Sequence, residues 1–214
     1  MFNSLIIIRT DASTAIGTGH VMRCLTLAGV LRDRGASVSF ICREHDGHLC
    51  DRIEEQGFIV HRLRKGPDPV SPSPAFDPYH TPWLGVSWEE DAEETNQIIS
   101  MLDKKPDWLI VDHYALDERW EKHLRPYVSR IFVIDDLADR VHDCDLFLDQ
   151  NLVEGMETRY NDKVPSTCGK MLGPKYALLQ PIYAELHDRI PPREGPIRRI
   201  LIFFGGVDQN NLTG

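Results

Sequence analysis

The chain has 214 residues, 42% hydrophobic and 27% charged, enough for one filled core, or one core and part of another, without staples. Its 24 Lys and Arg against 33 Asp and Glu leave a net charge of −9. That balance excludes a protein that tracks nucleic-acid phosphates with a stripe of cations, so no nucleic-acid partner is expected. No apolar run approaches the ~20 residues of a membrane span, and residues 1–8 lack the basic segment and cleavage site of a signal peptide. Five scattered cysteines (Cys24, Cys42, Cys50, Cys144 and Cys168) form no C-x-x-C pair. They read as reduced thiols, which places the expected compartment in the cytoplasm.

Residues 4–9 are a β-branched run bounded by polar residues and predict a buried strand. Beyond a Gly-rich turn, Val21, Leu25, Ala28 and Leu31 recur at helical spacing, with Gly35 as the stop. Residues 37–42 predict a second strand, 46–56 a helix ending at Gly57, and 58–61 a third strand. This alternation predicts an α/β fold with a doubly wound, Rossmann-like parallel sheet. Residues 66–82 then carry Pro67, Pro69, Pro72, Pro74, Pro78 and Pro82, which forbid a helix interior or a central strand. A long loop results, either a plain insertion or a lid or partner contact.

The alternation resumes with a helix near 88–102, a strand at 107–111, a helix around 118–124 and strands at 130–134 and 146–148. Residues 190–197 read as a stiff linker. Residues 199–204 predict one more buried strand, followed by Gly205, Gly206 and helix-cap residues. The expected organisation is a domain over 1–189, a linker over 190–197, and over 198–214 the first strand and turn of a truncated second domain.

In open α/β sheets, ligands sit beyond the carboxyl ends of the strands. The residues that follow the predicted strands are Asp11 with Gly17-Thr18-Gly19-His20, then Asp112-His113-Tyr114, Asp135-Asp136 and Asp149-Gln150-Asn151. One strand-end aspartate is ordinarily a turn or cap residue; the convergence of four such ends singles out this edge. Gly17 and Gly19 begin a G-x-G-x-x-G pattern, but Met22 stands where the third glycine belongs, and the second strand ends on Cys42-Arg43 without an acid. A nicotinamide cofactor is therefore set aside, and no cofactor is expected. The two glycines still bring backbone N–H groups close to an anion or a sugar hydroxyl.

His20 opens a helix, where the dipole disfavours its cation and suits it to act as a general base; a helix-entry hydrogen-bonder is the plainer alternative. Arg23 shares its face, as a fixed cation or a surface salt bridge. Asp11, Asp112, His113, Asp135 and Asp136 have no H-x-x-x-H or D-x-D-x-D spacing, and Cys42, His45, His48 and Cys50 match no common zinc pattern, so no metal is expected.

The blocks 9–13 and 16–25, Val111-Asp112-His113-Tyr114, residues 135–139, 173–179 and 204–208, in this order, resemble the UDP-2,4-diacetamido-2,4,6-trideoxy-β-L-altropyranose hydrolases of pseudaminic acid synthesis. More distantly they resemble spore-coat polysaccharide proteins and the N-acetylglucosaminyltransferases of peptidoglycan synthesis, all of glycosyltransferase-B type. The resemblance implies a two-domain enzyme with a UDP-sugar as its substrate partner, its N-terminal domain holding the sugar and its C-terminal domain most of the UDP. It implies metal-independent attack of water at the anomeric carbon with inversion. His20 would activate the water and Tyr114 would line the sugar pocket. Asp11, Gly17, Gly19, Arg23, Asp112, Gly205 and Gly206 complete the expected binding set. Because most of the second domain is missing from the sequence, these 214 residues alone are expected to be nearly inactive. The alternative is a glycosyltransferase of the same fold in surface or spore-coat polysaccharide synthesis, or a non-catalytic sugar-nucleotide module.

Overall fold

A computed structural model describes residues 4–66, 77–192 and 194–202. Seven strands form one all-parallel sheet: β1 (Leu5–Thr10), β2 (Ser37–Arg43), β3 (Ile59–Leu63), β4 (Trp108–Asp112), β5 (Ile131–Ile134), β6 (Leu146–Asp149) and β7 (Gly169–Leu172). Their spatial order is β3-β2-β1-β4-β5-β6-β7. Helices α1 (Gly19–Asp33), α2 (Cys50–Glu55), α3 (Trp88–Ser100), α4 (Glu118–Leu124) and α5 (Pro181–Arg189) follow in chain order. The order reverses between β1 and β4, the switch point where ligands bind in doubly wound sheets.

The α/β reading thus holds, and its cause is visible in β1. A central parallel strand is covered on both faces, so it is apolar throughout rather than alternating. Ile7 joins Leu109, Val111, Ile131, Val133 and Phe147 on the face packed by Ala92 and Ile99 of α3 and Trp120 and Leu124 of α4. Ile6 and Ile8 join Ile110, Phe132 and Ile134 on the opposite face, against Val21, Cys24 and Ala28 of α1 and Ile53 of α2. The helices α3 and α4 start on side-chain caps, with Ser87 accepting from Glu90 N and Asp117 from Arg119 N.

The expected helix over 46–56 is shortened to Cys50–Glu55. Gly47 takes φ +82, in a turn where a Cβ would lie 3.0 Å from Thr14, and a left-handed residue cannot continue a helix. The strand β7 was not expected, because Gly169 and Lys170 carry no β signal; pairing to β6 creates it. Residues 67–76 of the expected proline loop lie outside the described residues, while its end folds into a 3-10 turn over Thr81–Leu84. The stretch 190–202, Arg193 excepted, runs exposed without helix or strand. The strand expected from 199 has no described neighbour to take its ladder bonds over 199–202, and its remainder lies outside the described residues with Gly205 and Gly206. Among the described residues the five cysteines are free thiols, and no helix is long and apolar enough to cross a membrane.

Candidate active site

The site is built where β1 and β4 end side by side, with Thr10 paired to Asp112 as the last step of their register. The loop from β1 into α1 closes on itself. Ser13 Oγ accepts from Ala15 N and Ile16 N at 3.1 and 2.9 Å, and Gly17 N donates to Ser13 O at 2.8 Å. Gly17 does this at φ +81, open to glycine and strained for other residues. Gly19 begins the helix with nothing within 4 Å of where a Cβ would stand. Positions i, i+3 and i+4 share a helix face, which turns His20, Arg23 and Cys24 together toward Asp112.

Asp112 is fully buried and gathers that face. Its Oδ1 lies 2.6 Å from His20 Nδ1 and accepts from an Arg23 terminal nitrogen at 2.6 Å. Its Oδ2 accepts from Arg23 Nε at 2.7 Å and from the Cys24 thiol at 3.3 Å. Burial by itself would raise the pKa of this carboxyl; His20 and Arg23 outweigh it and hold it well below the usual carboxylate range. An ionised Asp112 at this distance assigns the ring proton of neutral His20 to Nδ1 and leaves Nε2 as an acceptor. The fork of Arg23 is likewise raised above its ordinary value, against its burial, by Asp112.

Tyr114 stands edge-on to His20 with ring centroids 4.4 Å apart. Its hydroxyl donates a short hydrogen bond to Asp136 Oδ1, at the end of β5. Asp136 Oδ2 accepts from Asn151 Nδ2 at 3.0 Å, beyond the end of β6, and lies 3.6 Å from Arg23. Burial first and Asp136 second push the Tyr114 phenol above its usual pKa. Three strand ends and the start of α1 therefore converge on one edge.

Behind this edge lies a buried ionic cluster. Asp11 accepts from Arg9 at 2.6 Å and from the Arg43 backbone N–H at 2.7 Å, while its Oδ2 faces His113 Nε2 at 3.3 Å and His45 Nε2 at 3.5 Å. Arg9 also grips Asp91 of α3 through two nitrogens, at 3.1 and 2.6 Å. Arg43 reaches Asp91 at 2.7 Å and Glu94 at 2.6 Å, and Trp120 Nε1 donates to Asp91 at 3.0 Å. Buried charges persist only when paired in this way.

Burial lowers the pKa of the His113 imidazole despite the facing Asp11. The unfolded chain then takes up this proton first, so stability rises with pH. The contribution is complete above the ordinary imidazole value of about 6.5 and is lost as pH falls through it toward the folded value. Thermal melts are expected to show a midpoint that declines from pH 7 to pH 5, with a shallower decline in His113→Asn. An equal slope in both proteins would contradict this.

The structure thus brings His20, Arg23, Asp112, Tyr114, Gly17 and Gly19 together. Asp11 and Asp112, expected among the substrate-binding residues, are both 0% exposed with their oxygens turned to protein groups. They sit in the framework that holds the cations and the imidazole. Gly205 and Gly206 lie outside the described residues. Among the described residues the strand-end acids and histidines form no group of three or more that could hold a metal ion. Asp136 and Asn151 were visible as strand-end residues, but not that Asp136 accepts from both Tyr114 and Asn151, since their meeting depends on β4, β5 and β6 lying side by side. The rings of His80 and Trp83 beside Tyr114 were missed; the signal for them was an aromatic pair three apart around Pro82.

No family model matches the chain. It is 27% identical over 210 residues to the UDP-2,4-diacetamido-2,4,6-trideoxy-beta-L-altropyranose hydrolase of Campylobacter jejuni, covering 97% of this chain and 62% of that protein. That relative carries the name of the family whose motifs the chain resembles. The chain is also 27% identical over 217 residues to an uncharacterized protein of Methanocaldococcus jannaschii, covering 97% of this chain and 38% of that one. It therefore spans 38% and 62% of the lengths of these two relatives. Among solved structures, MurG of Acinetobacter baumannii superposes with a TM-score of 0.48 at 12% identity, over 79% of this chain and 45% of that one. LpCGTa in complex with UDP gives 0.43 at 16% identity, over 64% and 32%.

Proposed function

We propose that the chain is the sugar-binding, base-carrying part of a nucleotide-sugar hydrolase that converts UDP-2,4-diacetamido-2,4,6-trideoxy-β-L-altropyranose to the free sugar and UDP, in pseudaminic acid synthesis. The single observation that carries this reading is the His20–Asp112–Arg23 constellation at the switch point of the sheet. The relative named as this hydrolase supports it.

In this reading His20 Nε2 takes a proton from water as the water oxygen bonds to the anomeric carbon. The bond from that carbon to the diphosphate oxygen breaks, and its electron pair leaves with UDP. Asp112 balances the imidazolium that forms, and Arg23 keeps Asp112 ionised throughout the cycle. A diphosphate is a good leaving group, so an oriented base and a positioned water supply most of what the step needs. Asp11, Arg9 and Asp91 stiffen the strand ends from behind. Most contacts to the UDP would come from a second domain beyond the 190–197 linker, in a glycosyltransferase-B-type arrangement.

The test is to incubate the intact protein with this UDP-sugar, without any acceptor, and follow the anomeric signals by NMR. Release of UDP together with a free sugar of inverted anomeric configuration is expected. Release that requires an added sugar acceptor would move the assignment to a glycosyltransferase. Turnover of unrelated UDP-sugars alone would overturn the substrate.

A further inference from the structure

The 3-10 turn of Thr81–Leu84 has three residues per turn, so positions three apart lie in line. One line, Thr81 and Leu84, points inward; both are buried, and Thr81 Oγ1 donates to Pro78 O at 2.8 Å. The other line, His80 and Trp83, stays half-buried, with ring centroids 4.2 Å apart. Neither ring belongs to the core on either face of the sheet. Gly85 ends the turn at φ +77, where a Cβ would come within 2.9 Å of the His45 ring, so the turn is pressed onto the loop that follows β2.

Both rings reach the candidate site. Trp83 stacks on Tyr114 at 5.9 Å with 27° between planes, and His80 lies 5.5 Å from Tyr114. Tyr114 in turn meets His20 at 4.4 Å, and Tyr79, 83% exposed, continues the row outward at 5.0 Å from His80. A run of aromatic rings thus leads from the candidate base toward solvent, beside polar groups: the Tyr114 hydroxyl bonds Asp136, and the Arg140 guanidinium stands 5.9 Å over the Tyr114 ring. Such a surface beside polar groups is how a pocket takes an amphipathic ligand, with apolar contact on one side and oriented polar groups on the other.

We infer that His80 and Trp83, together with Tyr114, form the platform for the apolar C–H face of the substrate's pyranose ring, and that this platform selects deoxy, N-acylated sugars over fully hydroxylated ones. The inference rests on the hydrolase reading. The uracil ring is not its occupant, because it lies across the diphosphate from the carbon that His20 serves.

The experiment compares the intact protein with Trp83→Ala and Trp83→Phe. Loss of the indole is expected to raise KM for the trideoxy diacetamido UDP-sugar about 10- to 100-fold with kcat held, the range that one misfit in an apolar pocket produces. The Phe variant should recover most of it. The advantage of that sugar over the fully hydroxylated UDP-glucose, measured as a competing inhibitor, should shrink by a similar factor, whereas inhibition by UDP itself should not change. An unchanged KM in a Trp83→Ala protein that melts normally would overturn the inference, and weakened UDP inhibition would reassign the platform to the base. If the wild-type protein turns over no UDP-sugar, the hydrolase reading fails by itself. Saturation-transfer NMR then decides the platform separately: transfer to the sugar methyl groups in the wild type, lost in Trp83→Ala, supports it, and transfer equal in both refutes it.

Discussion

Under the proposed hydrolase reading, replacing His20 by asparagine is expected to lower kcat of the intact protein by about 10²- to 10⁴-fold, the contribution of a positioned general base, with KM little changed. In the proposed reaction the imidazole Nε2 acts on water only as the transition state forms, so its loss would remove an interaction that substrate binding does not use. Asp112→Asn should fall in a similar range for a related reason. A neutral amide can donate to Nδ1, which moves the ring proton to Nε2 and removes the acceptor, and it no longer balances the imidazolium. It also leaves Arg23 without the carboxylate it now grips at 2.6 and 2.7 Å. Kinetics of both variants, alongside melts showing that they fold, check this. Near-wild-type kcat in His20→Asn would remove the base from the account.

The largest stability effect is expected away from the site, at Asp91. This fully buried carboxylate takes Arg9 through two nitrogens, Arg43 through one and the Trp120 indole N–H. Truncation to alanine leaves two guanidinium groups buried and short of a counter-charge, at a cost of about 3–5 kcal/mol for breaking a buried pair from one side. For a chain of this size that corresponds to a melting midpoint lower by on the order of 10 °C. Calorimetry or denaturant titration of Asp91→Ala checks it; a loss below about 1 kcal/mol would show that the cluster is not what secures the ends of β1 and β2 to α3.

The contrast between these two residues separates what the sequence disclosed from what it concealed. His20, Arg23, Asp112 and Tyr114 were legible because each follows directly from a strand end or a helix spacing, and the α/β alternation told which edge those ends share. Asp91 was not legible. It lies in the first turn of α3, close to Glu89, Glu90, Glu93 and Glu94, where it reads as one more solvated acid, and its partners stand 82 and 48 residues away. Arg9 and Arg43 looked like polar strand ends, although both are almost wholly buried. The turn that presents His80 and Trp83 was hidden in the proline-rich segment, because proline spacing says where a helix or strand cannot be and not where a short turn directs its side chains. The strand β7 required a neighbour, which local propensity does not supply.

The central claim is that water, activated by His20, attacks the anomeric carbon. Its most direct test is hydrolysis of the UDP-sugar by the intact protein in water enriched in oxygen-18, with both products read by mass spectrometry. The account predicts one heavy oxygen in the free sugar and none in UDP. Heavy oxygen in the UDP phosphate would mean attack at phosphorus, and would contradict it.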